Sequence, residues 1–79
     1  MPTDDRTTRL RASALYWMSD EGPLLVSLQA PNERARAAAD TMMQICRGLA
    51  DDGLCTEDVT AEHTSVFCIT EKGRAHVDR

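Results

Sequence analysis

Cys55, His63 and Cys68, with Cys46 upstream, are the residues whose types alone suggest chemistry. Thiolate and imidazole are ligands that zinc favours, and the same two groups make a nucleophile with its base. Their spacing supports neither use. The chain has no Cys-x-x-Cys pair and no His-x-x-x-His pair, the spacings that bring two ligands to one ion. A Cys–His nucleophile also needs a third group to orient the base, and nothing in the spacing fixes one. His76, beside Arg74, stands alone in the same way. Gly-rich phosphate loops are absent too. The expectation is a non-enzymatic protein without metal or cofactor, whose cysteines are strand or core residues.

Composition narrows the class further. Three cysteines cannot all pair within one chain, so they read as reduced and mostly buried. Residues 1–8 carry acids and no apolar segment, which is unlike a signal peptide. No apolar run approaches the roughly 20 residues a membrane helix needs. The cytoplasm is the default compartment. The net charge is −4, from 13 acids against nine lysines and arginines, and neither half of the chain is basic. A nucleic-acid binder of this composition would have to gather its few arginines on one side.

The elements that would position these side chains can be read from periodicity and punctuation. The 79 residues suit one domain over 8–79, after a flexible tail at 1–7. From Thr8 to about Ser19, Leu10, Ala14, Trp17 and Met18 share one helical face. Gly22-Pro23 then breaks the helix. Leu24–Gln29 is a short strand or a short helix, since brief apolar runs do not resolve by period. Pro31 interrupts again, and Asn32 is placed to cap a second long helix.

Residues 33–52 make the clearest helix, with Ala35, Ala38, Met42, Ile45, Cys46 and Leu49 as its apolar stripe. Gly48 inside it costs about 1 kcal/mol relative to alanine, which points to close packing against a neighbour. Leu54–Val59 and Ser65–Ile69 read as strands joined by the polar residues 60–64, an antiparallel hairpin. Glu71–Val77 is a last short helix. Gly53 stands where a helix C-terminus takes a left-handed residue, and Thr70 where the next helix takes an N-cap hydroxyl. Trp17 and Phe67 are expected in the core. The class is α/β (α+β), in the order helix, short strand or helix, long helix, hairpin, short helix.

Asp51-Asp52-Gly53-Leu54, followed by Phe67-Cys68-Ile69-Thr70-Glu71-Lys72-Gly73-Arg74-Ala75, resembles the second half of bacterial winged helix-turn-helix regulators of the MarR and PadR type. The match covers about residues 35–77. Gly22-Pro23-Leu24 also looks like the turn before the second helix of such domains. The resemblance implies a small winged-helix-like domain that binds duplex DNA and regulates transcription. In it, 33–52 is the recognition helix, with Arg36, Thr41, Gln44 and Arg47 toward the bases and Arg34 toward a phosphate.

Against that expectation, the hairpin that would be the wing carries Glu57, Asp58, Glu62 and His63. Carboxylates facing a phosphate backbone are unfavourable. The alternative is an adaptor or inhibitor that presents those residues to a basic or nucleic-acid-binding protein, since complementary potentials steer such encounters. Met42 and Met43 on one helix of so short a chain further suggest a homodimer.

Overall fold

The computed structural model describes residues 4–77. The elements are α1 (Asp4–Glu21), β1 (Leu24–Ser27), α2 (Glu33–Asp51), β2 (Cys55–Ala61), β3 (Thr64–Ile69) and α3 (Glu71–Val77). Three helices and one three-stranded antiparallel sheet make a small α+β domain with the expected layout. The expected tail at 1–7 lies outside the described residues at 1–3 and is corrected at 4–7, which are helical. Those first turns carry little apolar periodicity. Leu10 packs against the core, and Arg6 and Thr7 border a groove with α2.

The ambiguous segment at 24–29 resolves as a strand. β1 pairs with β3 from Leu24↔Phe67 to Ser27↔Thr64, so the sheet order is β1-β3-β2 and β3 is its centre. Residues 28–32 lead straight from β1 into α2, with no helix between them. The Gly22-Pro23 turn therefore opens a strand rather than the expected second helix. Gly22 takes φ 102, and its N–H donates to Met18 O at 3.2 Å, closing α1. Asn32 caps α2 by accepting the Ala35 N–H at 2.8 Å.

The core lies between the two long helices and one face of the sheet. Leu15 and Met18 of α1, Met43, Cys46 and Leu49 of α2, and Phe67 of β3 are its fully buried large side chains. The period of two along the strands sets Val26, Cys55, Ser65 and Phe67 inward. Two expected faces are corrected. On α1, Leu15 is buried and Trp17 is 51% exposed, because the core stripe runs through Ala14, Leu15 and Met18. On α2 the stripe is rotated, so Met43 is buried where Met42 was expected and Ala38 is exposed. Alanines report a helical face weakly, since burying them or leaving them out changes little apolar area.

The junction of α2, the hairpin and α3 matches its punctuation. Gly53 takes φ 79 and the Leu54 N–H reaches back to Leu49 O at 3.0 Å. Thr70 Oγ1 donates to Gly53 O at 2.7 Å and accepts the Gly73 N–H at 3.1 Å. One hydroxyl thus caps α3 and ties it to the end of α2. Gly73 is needed for that closeness, since a Cβ there would overlap the Leu54 carbonyl oxygen. The neighbour expected at Gly48 is Arg11, whose Nη1 would lie 3.2 Å from an added Cβ. Arg11 passes there to pair with Asp52 at the foot of α2.

Candidate nucleic-acid interface

The solvent face of α2 divides into two flanks. Arg34 and Arg36 are two residues apart, so they project from opposite sides of the helix. Toward α1, Thr41, Gln44 and Ile45 form one wall of a groove whose other wall is Arg6, Thr7, Leu10 and Arg11. Arg34 stands two turns up the same side as Thr41, at the seven-residue helical repeat. Toward the sheet, Arg36 shares a surface with Leu28, Glu33, Ala37 and Asp40, and Arg47 meets β2. The five expected residues are all exposed, but they do not form one surface.

Their partners differ as well. Arg47 Nε donates to Glu57 Oε2 at 3.1 Å, and Gln44 Nε2 donates to Asp40 Oδ2 at 3.1 Å. Glu57 Oε2 also accepts from the hydroxyl of buried Ser65 at 2.8 Å. Chiefly that hydroxyl, with Arg47 assisting, holds the Glu57 carboxyl below the usual carboxylate range. Among the described residues, no carboxylate lies within ion-pair distance of Arg34 or Arg36. Unneutralised positive charge near the start of α2 is therefore divided between the flanks, Arg34 on the side of Thr41 and Arg36 on the side of the sheet.

The hairpin is anchored rather than projecting. Its tip is the pair Glu62-His63, shorter than the expected 60–64 because Ala61 pairs with Thr64 across a bulge after Val59. His63 takes the left-handed backbone, φ 58, that the tight turn requires. Its carbonyl accepts the Leu28 N–H at 2.8 Å, and the Glu62 carbonyl accepts from Gln29 Nε2 at 3.2 Å. Thr64 Oγ1 adds a bond to Ser27 Oγ at 3.0 Å. The expected acidic group is split: Asp58 and Glu62 are exposed, whereas Glu57 is half-buried against Ser65 and Arg47. Alternation along β2 sends Glu57 and Asp58 to opposite faces of the sheet.

The cysteines lie away from this surface. Burial pushes the Cys46 thiol up to about 12 and the Cys55 thiol up to about 11. Cys55 Sγ lies 3.5 Å from Cys46 O as a weak donor. Thiols so protonated are poor nucleophiles and poor metal ligands at neutral pH. Among the described residues, no group of three His, Cys, Asp or Glu side chains is placed to hold a metal ion.

Arg6 and Arg11 are groove residues that sequence reasoning misses. Their only signal is a local run of arginines, at 6, 9 and 11, in a segment whose start reads as tail. Comparison of the chain with family models, with curated proteins and with solved structures yields no match.

Proposed function

We propose that this chain is a non-enzymatic, cytoplasmic DNA-binding regulator of winged-helix type, which seats duplex DNA at the α1–α2 groove and acts by occupying an operator. The observation that carries the reading is that Thr41 of α2 lines a groove with Arg6 and Arg11 of α1, while Arg34, exposed, lies on the same helical side as Thr41. Recognition helices meet base edges with their N-terminal residues, and in that part of α2 neither arginine forms an ion pair among the described residues. The hairpin β2–β3 follows α2 as this reading expects, whereas β1 stands where it expects a second helix. In this reading Gln44 and Arg47 serve the fold, and the acidic hairpin stays off the phosphates. No helix among the described residues is long and apolar enough to cross a membrane.

The test is substitution on the two sides of the groove against a distant arginine. Arg34→Ala and Arg6→Ala each weaken binding to a mixed-sequence duplex, and Arg74→Ala, on α3, does not. Equal effects at all three positions would contradict the groove as the contact surface.

One observation favours a second reading. The hairpin tip is fixed by three hydrogen bonds to β1 and the following link, which preorganises Asp58 and Glu62 as an acidic corner for a basic protein partner. Under that reading, Asp58→Asn with Glu62→Gln abolishes capture of a lysine-rich peptide and leaves any duplex binding unchanged.

A further inference from the structure

Among the described residues, the outer face of α1 is a stripe largely open to solvent, touched at one end, beside Tyr16 and Asp20, by Val77 of α3. Arg9, Ala12, Ser13, Tyr16, Trp17 and Asp20 follow one another along it at alternating steps of three and one, and all six are exposed. Tyr16 is 63% and Trp17 51% exposed, and the two rings border a shallow hollow floored by Ala12 and Ser13. Large aromatics beside small residues give one helix both a knob and a hole. The stripe begins on a cation and ends on a carboxylate.

We infer that this face seats a second copy of the same chain, with the two α1 helices packed antiparallel about a twofold axis between Ser13 and Tyr16. That axis sets Ala12 of one protomer opposite Trp17 of the other and Ser13 opposite Tyr16, so each pair of rings fills the other's hollow. It also sets Arg9 opposite Asp20 at both ends. A parallel pairing would instead align Arg9 with Arg9 and Asp20 with Asp20. The charge order therefore selects the antiparallel copy, and self-complementarity of this kind is what a twofold interface requires. Half-exposed tryptophan and tyrosine framed by charged residues are the composition of an interface centre and its rim. Met43, one of the two methionines expected to drive self-association, is buried in the protomer's own core and is not available for it.

The experiment uses the whole chain without DNA, so its outcome is independent of the DNA-binding proposal. Sedimentation equilibrium of the wild type shows the mass rising from 8.7 kDa toward twice that value with concentration. Emission of Trp17, the single tryptophan, shifts to the blue over the same range. Trp17→Ala, at an exposed site, weakens association by about tenfold or more, with far-UV circular dichroism unchanged.

The decisive arm is a charge swap. Arg9→Glu alone faces Asp20 with a like charge, and Asp20→Arg alone faces Arg9 with a like charge, so each is monomeric. Mixed in equal amounts, they restore opposite charges at both ends and the dimer returns. A wild type that stays monomeric up to about 1 mM, or single swaps that dimerise as the wild type does, would overturn the inference.

Discussion

Arg47 of α2 donates through Nε to the Glu57 carboxylate of β2 at 3.1 Å, closing a candidate base-reading arginine onto the protein's own hairpin. Glu57 is in turn fixed by Ser65 at 2.8 Å, so the contact is set by the sheet and not by chance rotamers. Exposed ion pairs contribute little on their own, typically below about 1 kcal/mol. Here the pair gains its persistence from the buried Ser65 hydroxyl, which would otherwise lack a partner. The consequence is functional. In the C-terminal half of α2 Arg47 is neutralised and Asp51 adds an exposed carboxylate, so the positive charge of the helix remains near its start.

Releasing Arg47 should therefore strengthen DNA binding. Glu57→Gln keeps an acceptor for Ser65 and removes the charge that neutralises Arg47. Duplex affinity should rise, and the steepness of its salt dependence should grow by about one unit of slope. An unchanged slope in salt-titrated anisotropy would mean that Arg47 does not reach the DNA even when free.

The same carboxylate sets an acid limit on stability. Its pKa is lowered in the folded state, first by Ser65 and then by Arg47. Below the ordinary value of about 4.3, the unfolded chain binds more protons than the native one. The contribution is thus complete above that pH and is lost as pH falls through the folded value. Urea midpoints should decline on that acid side more steeply for the wild type than for Glu57→Gln.

The buried thiols act at the opposite end. Cys46 and Cys55 keep their protons up to about 12 and about 11, whereas unfolded cysteines release theirs at about 8.5. Above that pH the native state binds more protons, so stability falls as pH rises. In mildly alkaline buffer, labelling with a thiol reagent should modify half-buried Cys68 first. Cys46 and Cys55 should react only on unfolding. Equal rates at all three sites, read by mass spectrometry, would contradict this.

Thr70 and Gly73 together fasten α3. Thr70→Ala removes both the cap on the Gly73 N–H and the bond to Gly53 O, and should cost about 1 to 2 kcal/mol. Thr70→Ser should restore most of it. Gly73→Ala forces a methyl group against the Leu54 carbonyl and should cost at least as much, about 1 to 3 kcal/mol. Denaturant midpoints decide both, and a neutral Gly73→Ala would mean that α3 is not held at this distance.

Much of this frame is legible in the residues themselves. Gly53, Thr70 and Asn32 act through local backbone geometry, and each does in the structure what its type and position imply. The hairpin and the long helix can be read from period and β-branching in the same local way. Trp17 and the stripe of α2 depart from expectation for a nonlocal reason. Which flank of a helix is buried depends on how α1 and α2 meet the sheet, and alanines mark that rotation faintly. The candidate interface is harder still. One helix supplies five candidate residues, but their availability is settled by Asp40, Glu57 and the arginines of α1. Glu57 and those arginines lie on other elements, and the first of the arginines sits where the sequence reads as tail.

Duplex binding by so acidic a chain would rest on a local cationic flank. Fluorescence anisotropy of a labelled mixed-sequence duplex, titrated with the wild-type protein at low salt and again as salt rises, tests it most directly. Binding should be present at low salt, and the logarithm of the binding constant should fall linearly with the logarithm of salt concentration, with a slope of about −2 to −3 per protomer. An anisotropy that stays flat at low salt would contradict the claim.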